Sequence, residues 1–171
     1  MSEFVIKLCL LGDASVGKTS LVYRFINNSF SRDFKSTLGV NLLKKETTIE
    51  DKKVSAQIWD LGGQEAYRRL RKLYLEGAQG ALMVFDVTSS ESFENLNDWK
   101  QSLIDVRGEE IPFIVIGNKI DLKANQAISE KQAGAYAKNV GAPLLLTSAK
   151  TGEGVEDAFK ELIKLIIEKN D

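Results

Sequence analysis

The sequence predicts an α/β fold in which a mostly parallel sheet carries helices on both faces. Three observations predict it. Short apolar runs alternate with stretches of helical periodicity along the chain. Several of those runs are continuously apolar, as expected for strands covered on both sides. No internal repeat, low-complexity tract or linker interrupts the 171 residues, so one domain spans 1–171, long enough to bury one substantial core.

The elements follow in order. "FVIKLCLL" (Phe4–Leu11) is a buried strand, and Val16 to Ile26 reads as a helix. "LLKKETTI" can pair with "KKVSAQIWD" (Lys52–Asp60) across a turn at Glu50-Asp51, which makes one strand antiparallel. Ala66 to Tyr74 sets Tyr67, Leu70 and Tyr74 at helical spacing. "ALMVFDV" (Ala81–Val87) and "FIVIGN" (Phe113–Asn118) are continuous apolar strands. Between them Phe93, Leu96, Trp99 and Leu103 recur on one helical face. Ser129 and Gln132 form a capping box that opens "EKQAGAYAKNV", and Gly141 with Pro143 ends it. "PLLLTSA" (Pro143–Ala149) is the sixth strand; Val155, Phe159, Leu162 and Ile166 mark the last amphipathic helix.

Composition excludes several classes of chemistry. Apolar residues make up 43% and charged residues 27%, ordinary for a globular protein, and a net charge of −1 gives no field to draw nucleic acid or acidic lipid. The chain has no histidine, which removes Ser-His and Cys-His nucleophiles and most zinc sites. The one cysteine, Cys9, lies inside an apolar run and reads as a buried, inert thiol. No stretch approaches the roughly 20 apolar residues of a membrane span. Signal-peptide, myristoylation and prenylation patterns are missing, so the expectation is a monomeric cytoplasmic protein that does not insert in a membrane, with peripheral association only if a lipidated tail is missing.

"GDASVGKTS" (Gly12–Ser20) fits Gly-x4-Gly-Lys-Thr between a strand and a helix, the context in which such a loop cradles phosphates. Backbone N–H groups of Asp13, Ala14, Ser15, Val16, Gly17, Lys18, Thr19 and Ser20 can turn toward phosphate oxygens, and the helix N-terminus adds a positive dipole end. Lys18 would reach the β- and γ-phosphates and the Thr19 hydroxyl would ligate Mg²⁺. The expected architecture is therefore that of a P-loop NTPase.

A second motif selects the base. In "NKID" (Asn118–Asp121), a carboxylate at Asp121 can accept from the N1–H and exocyclic amine of guanine; adenine has no such donor pair and would leave the carboxylate unpaired. The stem of Lys119 can lie over the base. "TSAK" (Thr147–Lys150) can offer backbone N–H groups around Ser148 and Ala149 to the guanine carbonyl, with Lys150 as a second stem. "WDLGGQE" (Trp59–Glu65), at a strand end, would hold Mg²⁺ by Asp60 through a water, meet the γ-phosphate with the Gly63 N–H, and orient the attacking water with Gln64.

Over nearly its whole length the chain resembles the small GTPases of the Ras superfamily, most closely the Rab branch, through "KKVSAQIWD", "GQEAYRRLRKLYLEGAQGALMVFDVT" and "TSAKTGEGVEDAFKEL". The resemblance implies six strands and five helices, GTP and GDP as ligands with Mg²⁺, and two switch segments. It makes Thr37 the second Mg²⁺ hydroxyl, with a backbone group near the γ-phosphate, and puts Phe30 edgewise against guanine; an exposed loop threonine and a core aromatic are the plain alternatives. The sequence departs from the Rab pattern at Leu61-Gly62, where the turn resembles the Arf branch, at Asn41-Leu42, and at Ala14. Phe34 stands where an internal arginine finger can sit, so intrinsic turnover is expected to be slow.

The function expected is a GTP-hydrolysing switch, probed by an exchange factor, an activating protein and effectors through Thr37–Leu43, Trp59 and Gln64–Tyr74, in membrane-trafficking-type regulation. Two readings stay open for Arg68, Arg69, Arg71 and Lys72: a solvated basic face, or part of that partner surface. Trp59 could equally be core. The rivals are a scaffold permanently bound to GTP, which intact Lys18, Thr19, Asp60 and Gln64 oppose, and a metabolite kinase, which would leave "NKID" and "SAK" unexplained.

Overall fold

A computed structural model of the chain describes residues 3–27, 41–60, 68–108 and 110–170. Six strands run through them: β1 (Glu3–Leu11), β2 (Asn41–Ile49), β3 (Lys52–Asp60), β4 (Gly80–Asp86), β5 (Phe113–Asn118) and β6 (Leu144–Leu146). They form one sheet in the order β2-β3-β1-β4-β5-β6. Every neighbouring pair is parallel except β2 with β3. The expected α/β class and the single antiparallel strand are both present.

The helices are α1 (Lys18–Asn27), α2 (Arg68–Leu75), α3 (Ser90–Glu94), α4 (Leu96–Arg107), α5 (Glu130–Asn139) and α6 (Val155–Asn170). The short α3 continues into α4 through Asn95, which keeps helical angles, so five helical segments flank the sheet. Period-two side-chain alternation divides the core. Ile6, Leu8 and Leu10 of β1 pack with Leu82, Val84, Ile114 and Ile116 under α1 and α6, where Phe159, Leu162 and Ile166 are buried. Cys9 and Leu11 face the other way, with Met83, Phe85 and Val115, under Tyr74, Leu96, Trp99, Leu103 and Ala133. Both amphipathic faces expected for α4 and α6 are the faces that are buried.

Two boundaries differ from the sequence expectation, for the same reason. The helix expected from Val16 begins at Lys18, because Val16 is buried in the core and its carbonyl is bound elsewhere. The strand expected over Pro143–Ala149 ends at Leu146: Thr147 N still reaches Gly117 O of β5 at 2.8 Å, but the Thr147 and Ser148 side chains and the Ala149 N–H turn to Asn118 and Asp121. The hairpin turn falls where expected. Glu50 and Asp51 have φ of 49° and 68°, the left-handed pair whose twist suits a two-residue hairpin.

The strand order turns at β1: the chain moves to β3 on one side and to β4 on the other. A crevice opens at the carboxyl ends of strands at such a point, where ligands bind open α/β sheets. The loops after β1, β4, β5 and β6 emerge there, and β3 ends there at Asp60.

Candidate functional site

The loop between β1 and α1 needs glycine at both ends. Gly12 has φ of 143°, and a Cβ there would run into the Val84 carbonyl; Gly17 has φ of 99°, and a Cβ there would strike Nδ2 of Asn118. The first helical hydrogen bond of α1 runs from Leu21 N to Gly17 O at 2.9 Å, so the helix N-terminus opens directly on the loop. Lys18 is 4% exposed. Its Nζ donates to Gly12 O at 2.5 Å and Asp13 O at 2.8 Å, which folds the ammonium back across the loop.

Asp60, at the end of β3, is fully buried and accepts a hydrogen bond from the Thr19 hydroxyl. Two residues 41 apart, expected at the same cation, are thus in contact. The described residues hold no cluster of three His, Cys, Asp or Glu. One carboxylate and one hydroxyl suit Mg²⁺, which keeps several waters and completes its shell with substrate phosphates.

Asn118 is 1% exposed and ties three segments together. Its Nδ2 donates to Val16 O at 2.9 Å; its Oδ1 accepts from the Thr147 hydroxyl at 2.9 Å and the Ala149 N–H at 3.3 Å. Lys119 adopts φ of 71°, and its Nζ reaches Ser15 O at 2.7 Å and Asp86 Oδ2 at 2.9 Å. Its stem therefore lies over the loop that Gly12 and Gly17 bend. Asp121 Oδ1 accepts from the Ser148 hydroxyl at 2.7 Å, which fixes the carboxylate at the edge of the crevice. From α1, Arg24 donates to Ala149 O at 2.8 Å and Lys150 O at 2.5 Å, bracing the loop after β6 from behind.

The sequence model of the Ras family matches residues 7–168. The chain belongs to the Ras family. It is 40% identical to the Ypt/Rab-type GTPase YPT7 of Saccharomyces cerevisiae, covering 97% of this chain and 83% of that protein. It is 42% identical to the Ras-related protein RABG3e of Arabidopsis thaliana, over 91% of this chain and 79% of the relative. With the Ras-related protein Rab-7a of Dictyostelium discoideum it shares 37%, over 99% and 86%. These likenesses put it in the Rab branch, and this Ras-family protein is a GTP hydrolase.

Among the described residues, Asp60 at the end of β3 and the expected residues on the loops after β1, β5 and β6 lie at one end of the sheet. Ala14 and Ser15 are exposed, Ser15 with φ of 69°, and Ser20 is buried on the first turn of α1. Phe30, Thr37, Gly63 and Gln64 lie outside the described residues.

The structure adds detail at Asp13, Val16, Tyr74, Arg71 and Trp59. Asp13 belongs to the loop, but its carboxylate turns away from it, accepting from Asn95 Nδ2 at 2.7 Å and Trp99 Nε1 at 3.0 Å. A negative group in a phosphate loop repels phosphate unless it is turned out and neutralised by donors. Val16 can serve a ligand only through its backbone, because its side chain is core.

Tyr74 is not a surface residue. It is 1% exposed, with its hydroxyl between Leu10 O at 2.8 Å, Leu10 N at 3.2 Å and Trp59 O. Arg71 leaves the solvated face: it is 7% exposed, with Nη1 2.9 Å from Asp98 Oδ2 and its guanidinium carbon 3.7 Å from the Trp99 ring centre. Trp59 is half-buried beside Tyr74, with Lys7 Nζ 3.9 Å from its ring centre, so it is partly core. Leu42 and Leu73 are the exposed apolar side chains nearest the expected partner surface.

Sequence reasoning missed Arg24, Asp86, Asn95 and Thr147. Arg24, Asp86 and Asn95 lie in no phosphate or base motif, and Thr147 opens "TSAK" without its hydroxyl having been singled out; each matters through a partner distant in the chain. Burial pushes the Cys9 thiol up to about 12, in keeping with an inert group.

Proposed function

We propose that this protein is a guanine-nucleotide-dependent switch: it binds GTP and GDP with Mg²⁺ at the crevice, hydrolyses GTP slowly, and recruits partners in the GTP form. The observation that carries the reading is the triple tie of Asn118. It holds the Val16 carbonyl of the phosphate loop and the Thr147–Ala149 segment of the base loop with one side chain. A ligand spanning both loops meets one rigid body, so little ordering is lost when it binds.

The assignments that make up this reading are these. Backbone N–H groups of residues 13–20 and the Lys18 ammonium bind the β- and γ-phosphates. Thr19, Thr37 and, through a water, Asp60 hold Mg²⁺, which when bound neutralises charge on the phosphate oxygens. Asp121, steadied by Ser148, accepts from guanine, with the stems of Lys119 and Lys150 and the Phe30 ring against the base and Ala149 beside the guanine carbonyl. Gln64 orients a water for in-line attack on the γ-phosphorus, the Gly63 N–H steadies the phosphoryl oxygens, and the bond to the β–γ bridging oxygen breaks to give GDP and phosphate.

Slow turnover has support in Phe34, which stands where an internal arginine finger can sit, and in three arginines of the described residues, each held elsewhere. Arg24 holds the Ala149 and Lys150 carbonyls, Arg71 pairs with Asp98, and Arg107 donates to Ala78 O. An activating protein that supplies an arginine would raise the rate by about 10³–10⁵. The Rab-branch likeness supports membrane-trafficking-type regulation, with an exchange factor and effectors meeting the segments that contain Thr37–Leu43, Trp59 and Gln64–Leu73.

The test is to denature purified protein, chromatograph the released nucleotide, and follow single-turnover GTP hydrolysis in the reloaded chain. GDP or GTP in near-stoichiometric amount, with slow conversion, is expected. Protein that neither carries nor takes up guanine nucleotide overturns the reading. Bound GTP with no conversion favours a permanent scaffold.

A further inference from the structure

The connection between α2 and the phosphate loop is not part of the nucleotide site itself. The guanidinium of Arg71, on α2, stacks 3.7 Å from the Trp99 ring centre and pairs with Asp98 Oδ2 at 2.9 Å; Nη1 also donates to the Ser102 hydroxyl at 3.2 Å. Trp99, on α4, turns its Nε1–H to Asp13 Oδ1 at 3.0 Å, and Asn95 takes the other oxygen at 2.7 Å. The Asp13 carbonyl in turn receives Lys18 Nζ. Arg71, Trp99, Asp13 and Lys18 therefore form one continuous series of contacts from α2 to the phosphate lysine.

The arrangement is costly. Arg71 is 7% exposed, its Nε has no hydrogen-bond partner among the described residues, and its acidic partner Asp98 is half exposed. An apolar side chain of similar length would fill this position, and Asp98, half exposed, would keep its charge in water. The cation has a use that packing does not supply. Stacked on the indole, it fixes the ring whose N–H keeps the Asp13 carboxylate turned out of the loop. Released, the carboxylate of the residue whose carbonyl already holds Lys18 Nζ would compete with phosphate for that ammonium and repel the phosphates directly.

We propose that Arg71 is a positioning residue for nucleotide retention: through Trp99 it holds Asp13 away from Lys18, so that the docking of α2 sets how tightly the loop grips phosphate. This rests on the nucleotide reading of the site given above.

The experiment is release of fluorescent GDP from loaded protein, followed by chase, for the wild type, Arg71→Met, Arg71→Lys, Trp99→Phe and the double variant Asp13→Asn/Arg71→Met. Arg71→Met should release GDP about tenfold faster with little change in the thermal midpoint of the nucleotide-free chain, because methionine fills the same space and Asp98 stays half in water. Arg71→Lys, which keeps the charge, should stay closer to wild type. Trp99→Phe, which keeps a ring and loses the donor, should release faster than wild type. Adding Asp13→Asn to Arg71→Met should restore slow release, because the competing charge is gone; a merely structural role for Arg71 predicts no such rescue.

Wild-type release from Arg71→Met, or from Trp99→Phe should the first variant not fold, overturns the inference, as does a double variant no slower than Arg71→Met. Wild-type protein that holds no guanine nucleotide overturns the reading of the site itself and is distinguishable from either result.

Discussion

Asn118 Nδ2 donates to the carbonyl of Val16 across 102 residues of chain, at 2.9 Å and almost out of reach of water. The bond joins the loop that would face phosphate to the loop that would face the base. A single side chain at the end of β5 thereby sets the distance between the two halves of the ligand.

Replacing that side chain is the direct check. Asn118→Ala removes three hydrogen bonds and leaves the Val16 carbonyl and the Thr147 hydroxyl without this buried partner. Each abandoned polar group costs about 1–3 kcal/mol. With two such groups abandoned, urea denaturation of the nucleotide-free chain should show a loss of about 2–6 kcal/mol, and fluorescent GDP should dissociate much faster than from the wild type.

Base choice rests on a different residue. Asp121→Asn keeps an oxygen for the Ser148 hydroxyl and exchanges an acceptor for an amide. Affinity for GDP should fall by a factor on the order of 10²–10⁴ while xanthosine diphosphate gains, since buried polar groups discriminate most when mismatched. Calorimetric titration with both nucleotides reads the switch; undiminished GDP affinity would remove Asp121 from base recognition.

For the chemical step, Gln64→Leu should leave GTP affinity near that of the wild type and slow single-turnover hydrolysis by roughly tenfold or more, because only the water's orientation is lost. Equal rates in the two proteins would dismiss Gln64 from the mechanism.

The buried thiol predicts a pH dependence of stability. Burial raises Cys9 from its ordinary 9.0 to about 12, so between those values the unfolded chain has lost a proton that the folded chain keeps. The unfolded state then binds fewer protons, and stability falls as pH rises. The wild type should lose stability relative to Cys9→Ala between about pH 9 and pH 12, and the two should run parallel below pH 8. Denaturant midpoints across that range measure the difference, and a thiol reagent at pH 8 should label unfolded protein and spare folded protein.

The strands, the glycine loop and the two base motifs were legible because each is a local pattern: apolar runs, a fixed spacing, a carboxylate at a strand end. The hairpin at Glu50-Asp51 was legible despite having no glycine, because both flanking strands marked it. What local patterns did not give was direction. Helical spacing put Tyr74 and Arg71 on α2, but which side of so short a helix meets the sheet depends on Leu10, Trp59 and Trp99, which come from elsewhere in the chain. Asn118 was legible as part of the base motif but not as a brace, because its partners lie 102, 29 and 31 residues away. Asp13 read as part of a cradle, and its carboxylate faces α4 for an electrostatic reason that the motif does not express.

The hairpin carries a mechanical consequence. Asn41 pairs with Asp60, the opening residue of one strand against the closing residue of the next. The stretch holding Thr37 runs into the first, and the stretch holding Gln64 leaves the second, so both are rooted at the mouth of a single two-stranded ribbon closed at its far end by Glu50 and Asp51. Like the jaws of tongs sharing one spring, the two roots cannot drift apart without unzipping the ladder, and a displacement at either one is delivered to its neighbour.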